Sequence, residues 1–312
     1  MRPHFLRSRL AFVCLLFSCL LTACSEQVGM RRTYVLTTGT TGGTFYPVGV
    51  ALSTLVSAQE EAGFSLTAIS SAGSMENIKL LRDNQAQFGL ILAIFAAWAY
   101  DGEGPIRNPQ RNIRSISAMW PNVEHFVLRS DLVTNGTVSD LANLQGERYS
   151  IGMRNSGAEQ TGIYIFDALG IDYNEDLSIA YMGYGPSANA LQDGNIVGMN
   201  VPAGPPVTAI TRAYALLGDR MTILNFSEEE INAVNAQFPL WDLYQMNPGT
   251  YPLQEKPITT AYSPNVFVVR DDVSEDIVYN VTKLLWDNLA ALQEIHSATK
   301  AMTLEEALKG IP

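Results

Sequence analysis

The chain has 312 residues, of which 47% are hydrophobic, and a formal net charge of −11 at neutral pH. Its three cysteines, Cys14, Cys19 and Cys24, all fall within the first 24 residues. The rest of the chain therefore has no disulfide, cysteine nucleophile or cysteine metal site, and its acidic balance argues against nucleic-acid binding.

The N-terminal segment has the composition of an export signal. Three arginines precede an apolar run at Leu10 to Leu21, which is too short to span a membrane and ends at small residues. We predict a signal peptide at residues 1–23. The sequence Leu21-Thr22-Ala23-Cys24 resembles a bacterial lipobox, so we expect Cys24 to be lipidated; the alternative is an ordinary secretory signal that leaves Cys24 free. Ser25 favours the outer membrane in a Gram-negative cell.

Residues 24–32 form a predicted polar tether. Removal of the signal would lower the net charge to −14 and leave 289 residues, enough for two lobes of ordinary domain size.

Strand and helix patterns alternate through the first half of the mature chain. The predicted strands are Tyr34–Thr38, Phe64–Ile69, Phe88–Leu92, Ile113–Trp120 and Glu124–Arg129, with a break at Pro121. The predicted helices are Val48–Ala62, Met75–Asp83 and Ala93–Tyr100.

The alternation begins again in the second half. Strands are predicted at Tyr149–Met153, Ser178–Met182, Ile196–Val201, Thr222–Leu224 and Thr259–Val269, the last after an irregular stretch at Phe238–Pro257. Helices are predicted at Ala158–Leu169, Ser187–Gln192, Pro202–Tyr214, Ser274–Gln293 and Thr303–Leu308. A capping box at Ser227 and Glu230 marks the start of a further predicted helix. Two α/β blocks predict two lobes, with chain crossings at Phe126–Asp131 and Tyr262–Arg270.

Three glycine- or serine-rich corners precede predicted helices: Thr38–Pro47, Ser70–Ser74 and Ser156–Gly157. Helix N-termini direct backbone N–H groups at anions. The first corner lacks the lysine of the phosphate-loop pattern and the spacing of GxGxxG, which argues against a nucleotide. Tight turns and simple capping are the alternatives for these corners. Arg154 is either a cationic anchor for a carboxylate or a solvated arginine at the rim.

An ordered set of short motifs then extends over almost the whole mature chain. These are Gly42-Gly43-Thr44-Phe45-Tyr46-Pro47, Gly73-Ser74 with Glu76-Asn77, Trp120-Pro121 with His125, Ser156-Gly157, Leu191-Gln192-Asp193-Gly194, Ala203-Gly204 and Pro248-Gly249-Thr250-Tyr251-Pro252. In this order they resemble the TAXI family of solute receptors of TRAP transporters.

The resemblance implies an α/β, two-lobed fold of the type II periplasmic-binding-protein kind, with a ligand cleft between the lobes and two hinge crossings. Residues 33–128 and 265–312 would form the first lobe and residues 129–264 the second. The implied function is capture of a small organic acid by lobe closure and its delivery to a TRAP-type fused membrane permease. We expect no enzymatic activity, no cofactor or metal, and a monomer.

The departures from the family pattern lie at facing positions of the expected cleft. Leu92, Ala93 and Ile94 stand where polar residues are usual, and Ala158 and Pro202 stand where threonine is usual. We therefore expect a less polar pocket. The predicted ligand-binding residues are Thr40, Gly42, Gly43, Thr44, Phe45, Tyr46, Ser71, Gly73, Ser74, Asn77, Leu92, Arg154, Ser156, Gly157, Ala158, Tyr184, Pro202, Ala203 and Gly204.

Other readings stay open. Trp120 and the aromatic residues of the corners could be core rather than pocket wall. The two histidines of the mature chain, His125 and His296, lack a catalytic motif and are interpreted as structural. A ligand-sensing lipoprotein that signals to a membrane sensor kinase is the alternative function, and a cleft hydrolase without a recognised motif is a third.

Overall fold

Two β-sheets, each covered by helices, organise the chain. The computed structural model describes residues 31–59 and 63–311. Within them the strands are β1 Arg32–Thr37, β2 Phe64–Ile69, β3 Phe88–Leu92, β4 Ile113–Val123, β5 Phe126–Arg129, β6 Glu147–Gly152, β7 Leu177–Tyr181, β8 Gly198–Asn200, β9 Met221–Ile223, β10 Asp242–Met246 and β11 Ile258–Arg270. The α-helices are α1 Phe45–Ser57, α2 Ser74–Arg82, α3 Ala93–Asp101, α4 Gly157–Ala168, α5 Tyr184–Gln192, α6 Thr208–Leu217, α7 Glu228–Asn235, α8 Glu275–Asp287 and α9 Leu289–Ile295.

The first sheet has the strand order β10-β11-β3-β1-β2, and β4 also pairs with β11. All five residues of β3 are buried, which is why this strand reads as a continuous apolar run instead of an alternating one. β3 pairs parallel with β1 and antiparallel with β11. The parallel β-helix-β connections carry the chain from each strand end into a helix, so the loops that follow β1 and β3 lie at the same edge.

The second sheet has the order β7-β6-β8-β5-β9. β6 is parallel to both of its neighbours, whereas β5 is antiparallel to β8 and β9. Phe126, Tyr149 and Phe166 fill its core and are fully buried. The loop after β6 leads directly into α4 and brings that helix start to the edge of the sheet.

The long strands β4 and β11 connect the two sheets. They pair from Arg270 opposite Ile113 to Tyr262 opposite Val123, and β5 then joins the other sheet after only Glu124 and His125. β10, which lies inside the range 129–264 predicted as the second lobe, pairs with β11 in the first sheet. The division into lobes at residues 129 and 264 stays a prediction.

Several predicted elements differ from the structure. Pro121 does not break its strand, because it lies within β4 opposite Pro264, where the ladder has an irregularity. The stretch predicted as irregular contains β10, whose first four residues are partly or fully exposed and give no clear alternation. The long C-terminal helix is two helices that separate at Asn288, and Thr303–Leu308 forms turns without an α-helix.

The segment after β8 also differs from prediction. Ala203 exchanges backbone hydrogen bonds with Val123 beside β4, residues 204–206 form a bend, and α6 begins only at Thr208. The capping box is confirmed, with Ser227 accepting from the Glu230 N–H and the Glu230 carboxylate accepting from the Ser227 N–H.

The predicted signal peptide, the lipidation site Cys24 and most of the tether lie outside the described residues. In the described ranges, no helix combines the length and apolarity needed to cross a membrane.

Candidate ligand-binding cleft

A small cavity lies where loops from both sheets meet. Its lining comes from the loop between β1 and α1, the starts of α2, α4 and α5, the end of β3, the end of β4 and the segment after β8. These residues are Gly39, Thr40, Gly43, Thr44, Phe45, Ala72, Gly73, Ser74, Leu92, Asn122, Gly157, Ala158, Tyr184, Pro202 and Ala203. The centre of a water molecule can occupy about 30 Å³ there. That volume holds about two waters, so the cavity is small.

A larger groove of about 880 Å³ adjoins this inner cavity. The two share Thr40, Ala72 and Tyr184 in their linings. Glu76, Tyr181 and Arg212 contribute to the lining of this outer groove. The inner cavity, in contrast, has no charged side chain among the lining residues given above.

Helix starts supply the electrostatics of the inner cavity. Phe45, Ser74, Gly157 and Tyr184 begin α1, α2, α4 and α5, and Leu92 directly precedes α3. At α1, α2, α3 and α5 no side chain caps the first turn. The backbone N–H groups at the start of a helix lack intrahelical partners and carry partial positive charge, with each helix end worth roughly 0.3–2 kcal/mol toward an anion.

Two carboxylates moderate this positive potential. Glu76 accepts a hydrogen bond from the Ala72 N–H at 2.6 Å, and Glu159 accepts one from the Asn155 N–H at 2.6 Å. Each places negative charge beside a helix start and occupies one backbone donor. The cavity is therefore mildly favourable to an anion and depends on several weak donors instead of one strong cation.

Two buried polar atoms in the lining of the inner cavity have no hydrogen-bond partner. These atoms are the Asn122 Nδ2 and the Thr40 Oγ1. An unpaired buried donor costs about 1–3 kcal/mol, so both atoms are suited to a ligand acceptor. Thr40 was predicted from the sequence. Asn122 was not, although it directly follows the Trp120-Pro121 motif and its position in β4 could have suggested it.

Contacts across the cleft are close. The Thr44 hydroxyl donates to the Gly204 carbonyl at 2.7 Å. On the side of the second sheet, the Tyr184 hydroxyl donates to the Pro202 carbonyl at 2.8 Å. A Cβ added to Gly73 would stand 3.4 Å from the Gly157 nitrogen. Gly73 itself has φ +116°, a conformation that glycine adopts without strain.

The structure brings most of the predicted residues together. The inner cavity contains Thr40, Gly43, Thr44, Phe45, Gly73, Ser74, Leu92, Gly157, Ala158, Tyr184, Pro202 and Ala203, and the outer groove contains Gly42 and Ser71. The remaining five line neither space: Tyr46, Asn77, Arg154, Ser156 and Gly204. Which of these residues touch a ligand stays a prediction.

Three of those five residues make contacts within the protein that account for their residue types. Asn77 is fully buried and uses its amide on Thr37, Ser71 and the carbonyls of Thr38 and Leu90. Ser156 caps α4 by accepting from the Glu159 N–H at 3.0 Å. Gly204 leaves no room for a side chain, since a Cβ would approach Trp120 to 2.4 Å.

Arg154 stacks its guanidinium on the Tyr181 ring at 3.7 Å. Tyr181 lines the outer groove, so the cation lies beside that groove and away from the inner cavity. Three of the departures from the family pattern do reach the inner cavity: Leu92, Ala158 and Pro202 give it an apolar wall.

The fully buried His125 is a structural residue of the connection between β4 and β5. Its Nδ1 lies 2.9 Å from both the Val123 and Val201 carbonyls, so Nδ1 carries the proton. Nε2 therefore accepts from the Tyr251 hydroxyl at 2.7 Å. Burial lowers the pKa of His125 to about 4, which keeps the ring neutral.

No group of three or more His, Cys, Asp or Glu residues in the described part of the chain could hold a metal ion. His296 accepts from the Ala298 N–H at the start of a short 3₁₀ turn, and burial lowers its pKa. Neither histidine lines the inner cavity or the outer groove.

Comparison with solved structures defines the class of fold. The chain is similar to the periplasmic binding protein BugD, with 16% identity, a TM-score of 0.54 and coverage of 89% of this chain and 88% of BugD. It is also similar to MatC from Rhodopseudomonas palustris with bound malate, with 14% identity, a TM-score of 0.53 and coverage of 90% of both chains. The protein therefore has the two-sheet α/β fold of type II periplasmic binding proteins, as predicted.

The family follows from the sequence match. Residues 36–312 match the NMT1-like family. The chain belongs to that family.

Proposed function

We propose that this protein is an extracytoplasmic solute-binding protein of a TAXI-type TRAP transporter. It captures a small organic anion, such as an amino acid or carboxylate, and the two halves of the molecule close around it. The closed form delivers the ligand to the fused membrane permease. A lipid on Cys24 holds the protein, a monomer, at the bacterial membrane.

One observation carries this proposal. Four helix starts without side-chain caps meet at a small cavity whose lining also includes the unpartnered Asn122 Nδ2 and Thr40 Oγ1. Such a set of donors without a fixed cation fits the oxygens of one carboxylate. The malate bound to MatC, a protein of similar fold, is an organic anion of this class.

The two adjoining spaces suggest how the ligand lies. Its carboxylate head occupies the inner cavity, and its remaining atoms extend past Tyr184 toward the outer groove. Arg154 and Arg212 lie near that outer part, where they favour a second negative charge. The apolar wall of Leu92, Ala158 and Pro202 favours a head group with few additional polar atoms.

A thermal-shift screen tests the proposal. The mature protein is heated with acetate, lactate, succinate or malate, each beside its uncharged amide, and also with glutamate. A ligand at 100 times its Kd adds about 2.7 kcal/mol to the free energy of unfolding. We expect at least one carboxylate to raise Tm while its amide does not. If only neutral compounds raise Tm, the anion proposal is wrong.

A further inference from the structure

Glu124 is a buried acid in the short connection between β4 and β5. Its backbone N–H donates to the Ala261 carbonyl, and its carbonyl accepts from the Thr260 hydroxyl at 2.8 Å. The residue is 0% exposed, and neither carboxyl oxygen has a hydrogen-bond partner. The main chain of Glu124 is thus fixed by β11, whereas its acid group is enclosed without a countercharge.

The side chains around this carboxyl are neutral. Thr161 of α4 and Asn200 of β8 lie beside it, and both oppose the effect of burial by lowering its pKa. The Thr161 Oγ1, the Asn200 Oδ1 and the Tyr149 hydroxyl are likewise buried without a partner. No lysine or arginine is among the groups that shift the pKa of Glu124, and burial raises that pKa from 4.5 to about 8.

Two tyrosines respond to the charge of Glu124. Burial and the charge of Glu124 raise the pKa of both Tyr149 of β6 and Tyr184 of α5. Both tyrosines therefore stay neutral over the pH range in which Glu124 titrates. The neighbouring His125 directs its ring to Tyr251 and the carbonyls of Val123 and Val201.

Asn200 connects Glu124 to the wall of the inner cavity. The Asn200 Nδ2 donates to the Ala158 carbonyl at 3.4 Å, and Ala158 lines the cavity. Tyr184, which responds to the charge of Glu124, lines the same cavity. Asn122, two residues earlier in the chain, contributes its unpartnered amide.

We infer that Glu124 sets the charge selectivity of the cleft by holding a proton whenever an anion is bound, so that anion binding is coupled to proton uptake at alkaline pH. This inference rests on the proposed function. An ionised Glu124 would place a like charge near the cavity wall, in surroundings that screen it poorly. An ionised Glu124 therefore weakens the binding of an anion, and a bound anion makes the ionisation of Glu124 less favourable.

The direction of the pH effect follows from linkage. At pH 6.5 Glu124 is protonated in both the free and the bound protein, and the affinity is at its full value. Above about pH 8 the free protein loses this proton, and binding has to return it. The affinity for an anion therefore falls as pH rises, by about tenfold for each unit by which the ligand raises the pKa of Glu124.

Calorimetric titration tests this coupling in the mature protein. Succinate and malate are the probes, because their carboxylates stay ionised from pH 6.5 to 9.5. Titrations at pH 8.5 in two buffers of different ionisation enthalpy count the protons taken up per ligand. We expect uptake of a fraction of one proton and an affinity about tenfold lower at pH 9.5 than at pH 6.5. Binding without uptake and without pH dependence would overturn the inference.

Two variants locate the proton. Glu124→Gln mimics the protonated acid, so we expect it to bind as tightly at pH 9.5 as at pH 6.5 and to take up no proton. Glu159→Gln removes a nearby acid that already has hydrogen-bond partners, so its proton uptake should equal that of the wild type. Equal uptake in the wild type and Glu124→Gln would contradict the assignment.

The same experiment separates the remaining outcomes. Failure of both probes and of every other carboxylate to bind at any pH from 5.5 to 9.5 would overturn the proposed function and this inference with it. If Na⁺ stabilises the wild-type protein more than K⁺ does at pH 8.5, and Glu124→Gln abolishes this difference, then a bound cation and not a proton balances the charge of Glu124. That result would overturn the inference and leave the proposed function standing. The number of protons that the wild-type protein takes up per ligand shows whether binding is coupled to proton uptake, even if a variant does not fold.

Discussion

The Thr44 hydroxyl donates a hydrogen bond of 2.7 Å to the backbone carbonyl of Gly204, a residue 160 positions away. Thr44 precedes α1 and lines the inner cavity, whereas Gly204 follows β8 and packs against Trp120. A threonine at this position of a helix usually accepts from the first turn. Here the Thr44 hydroxyl instead donates to the segment that follows β8. The start of α1 is therefore left without a side-chain cap, and the hydrogen bond joins the two sides of the cavity.

Thr44→Val tests this hydrogen bond, because valine keeps the shape and removes the hydroxyl. A typical hydrogen bond contributes about 0.5–1.5 kcal/mol, so we expect an affinity about fivefold weaker for the carboxylate that binds. Titration calorimetry measures the change. Thr44→Ser retains the donor and should bind within about twofold of the wild type. Equal affinities for the Thr44→Val and wild-type proteins would show that the hydrogen bond does not contribute to closure.

Asn122→Leu tests whether the unpartnered amide exists for a ligand. Removing a buried donor without a partner should leave the free energy of unfolding of the free protein unchanged or raise it by about 1 kcal/mol. The affinity should nevertheless fall at least about tenfold, since the donor to the ligand is lost. Urea unfolding and titration calorimetry measure the two effects, and their opposite signs distinguish a ligand contact from a structural one.

Ser263→Ala is the matched control for that variant. Ser263 lies opposite Asn122 in β11, and its Oγ is also buried without a partner, but it lines neither the inner cavity nor the outer groove. We expect Ser263→Ala to leave the affinity unchanged. A comparable loss in both variants would assign the effect to the strand pair and not to the ligand.

Local patterns predict much of the fold because the strands and helices near the cleft have strong periodic signals. β2 and β3 have the predicted bounds, and the glycine and serine corners do begin helices. β10 was missed since its partly exposed residues follow no period, and its pairing with β11 is a long-range contact. Pro121 was misread because the partner of a strand, here Pro264 of β11, is invisible in the local sequence.

The cavity lining was predictable where glycine, serine or threonine marks a helix start and where the family resemblance supplied a position, as at Leu92 and Pro202. Asn77 has the residue type of a ligand contact, yet both ends of its amide are used by Thr37, Ser71, Thr38 and Leu90 from three other segments. Asn122 and Glu124 were not predicted, because only the folded sheet shows that their polar groups are buried without partners. Hydrogen-bond satisfaction is a property of the tertiary structure, so sequence patterns do not report it.

Gly157→Ala tests how closely the two sides of the cleft must approach. An added Cβ would lie 3.0 Å from the Leu92 Cδ1 and 3.1 Å from the Ser74 Oγ, both on the opposite side. Alanine favours the start of α4, so the free energy of unfolding should not fall by more than about 1 kcal/mol. The affinity should fall about tenfold, since full closure is obstructed.

Leu92→Ala provides the comparison for Gly157→Ala. In the double variant the methyl group added at position 157 no longer meets the Leu92 side chain, so the two losses of affinity should not add. A coupling of about 1 kcal/mol in the double-mutant cycle would confirm contact across the cleft. Strict additivity would mean that the two residues do not meet in the bound form.

Glu124→Gln tests the energetic consequence of the buried acid for folding. The unfolded chain ionises Glu124 near pH 4.5, whereas the folded protein keeps the proton until about pH 8. Between these values unfolding releases a proton, so the contribution of Glu124 to the free energy of unfolding falls by about 1.4 kcal/mol for each unit of rising pH.

Glutamine does not titrate. The advantage of Glu124→Gln over the wild type should therefore grow by about 3 kcal/mol from pH 5.5 to 7.5 and level off above pH 8. His125 acts in the opposite direction below pH 6.5, but equally in both proteins, so it cancels in the difference. Urea unfolding at pH 5.5, 6.5, 7.5 and 8.5 measures this difference, and a difference that stays constant with pH would mean that Glu124 is ionised in the folded protein.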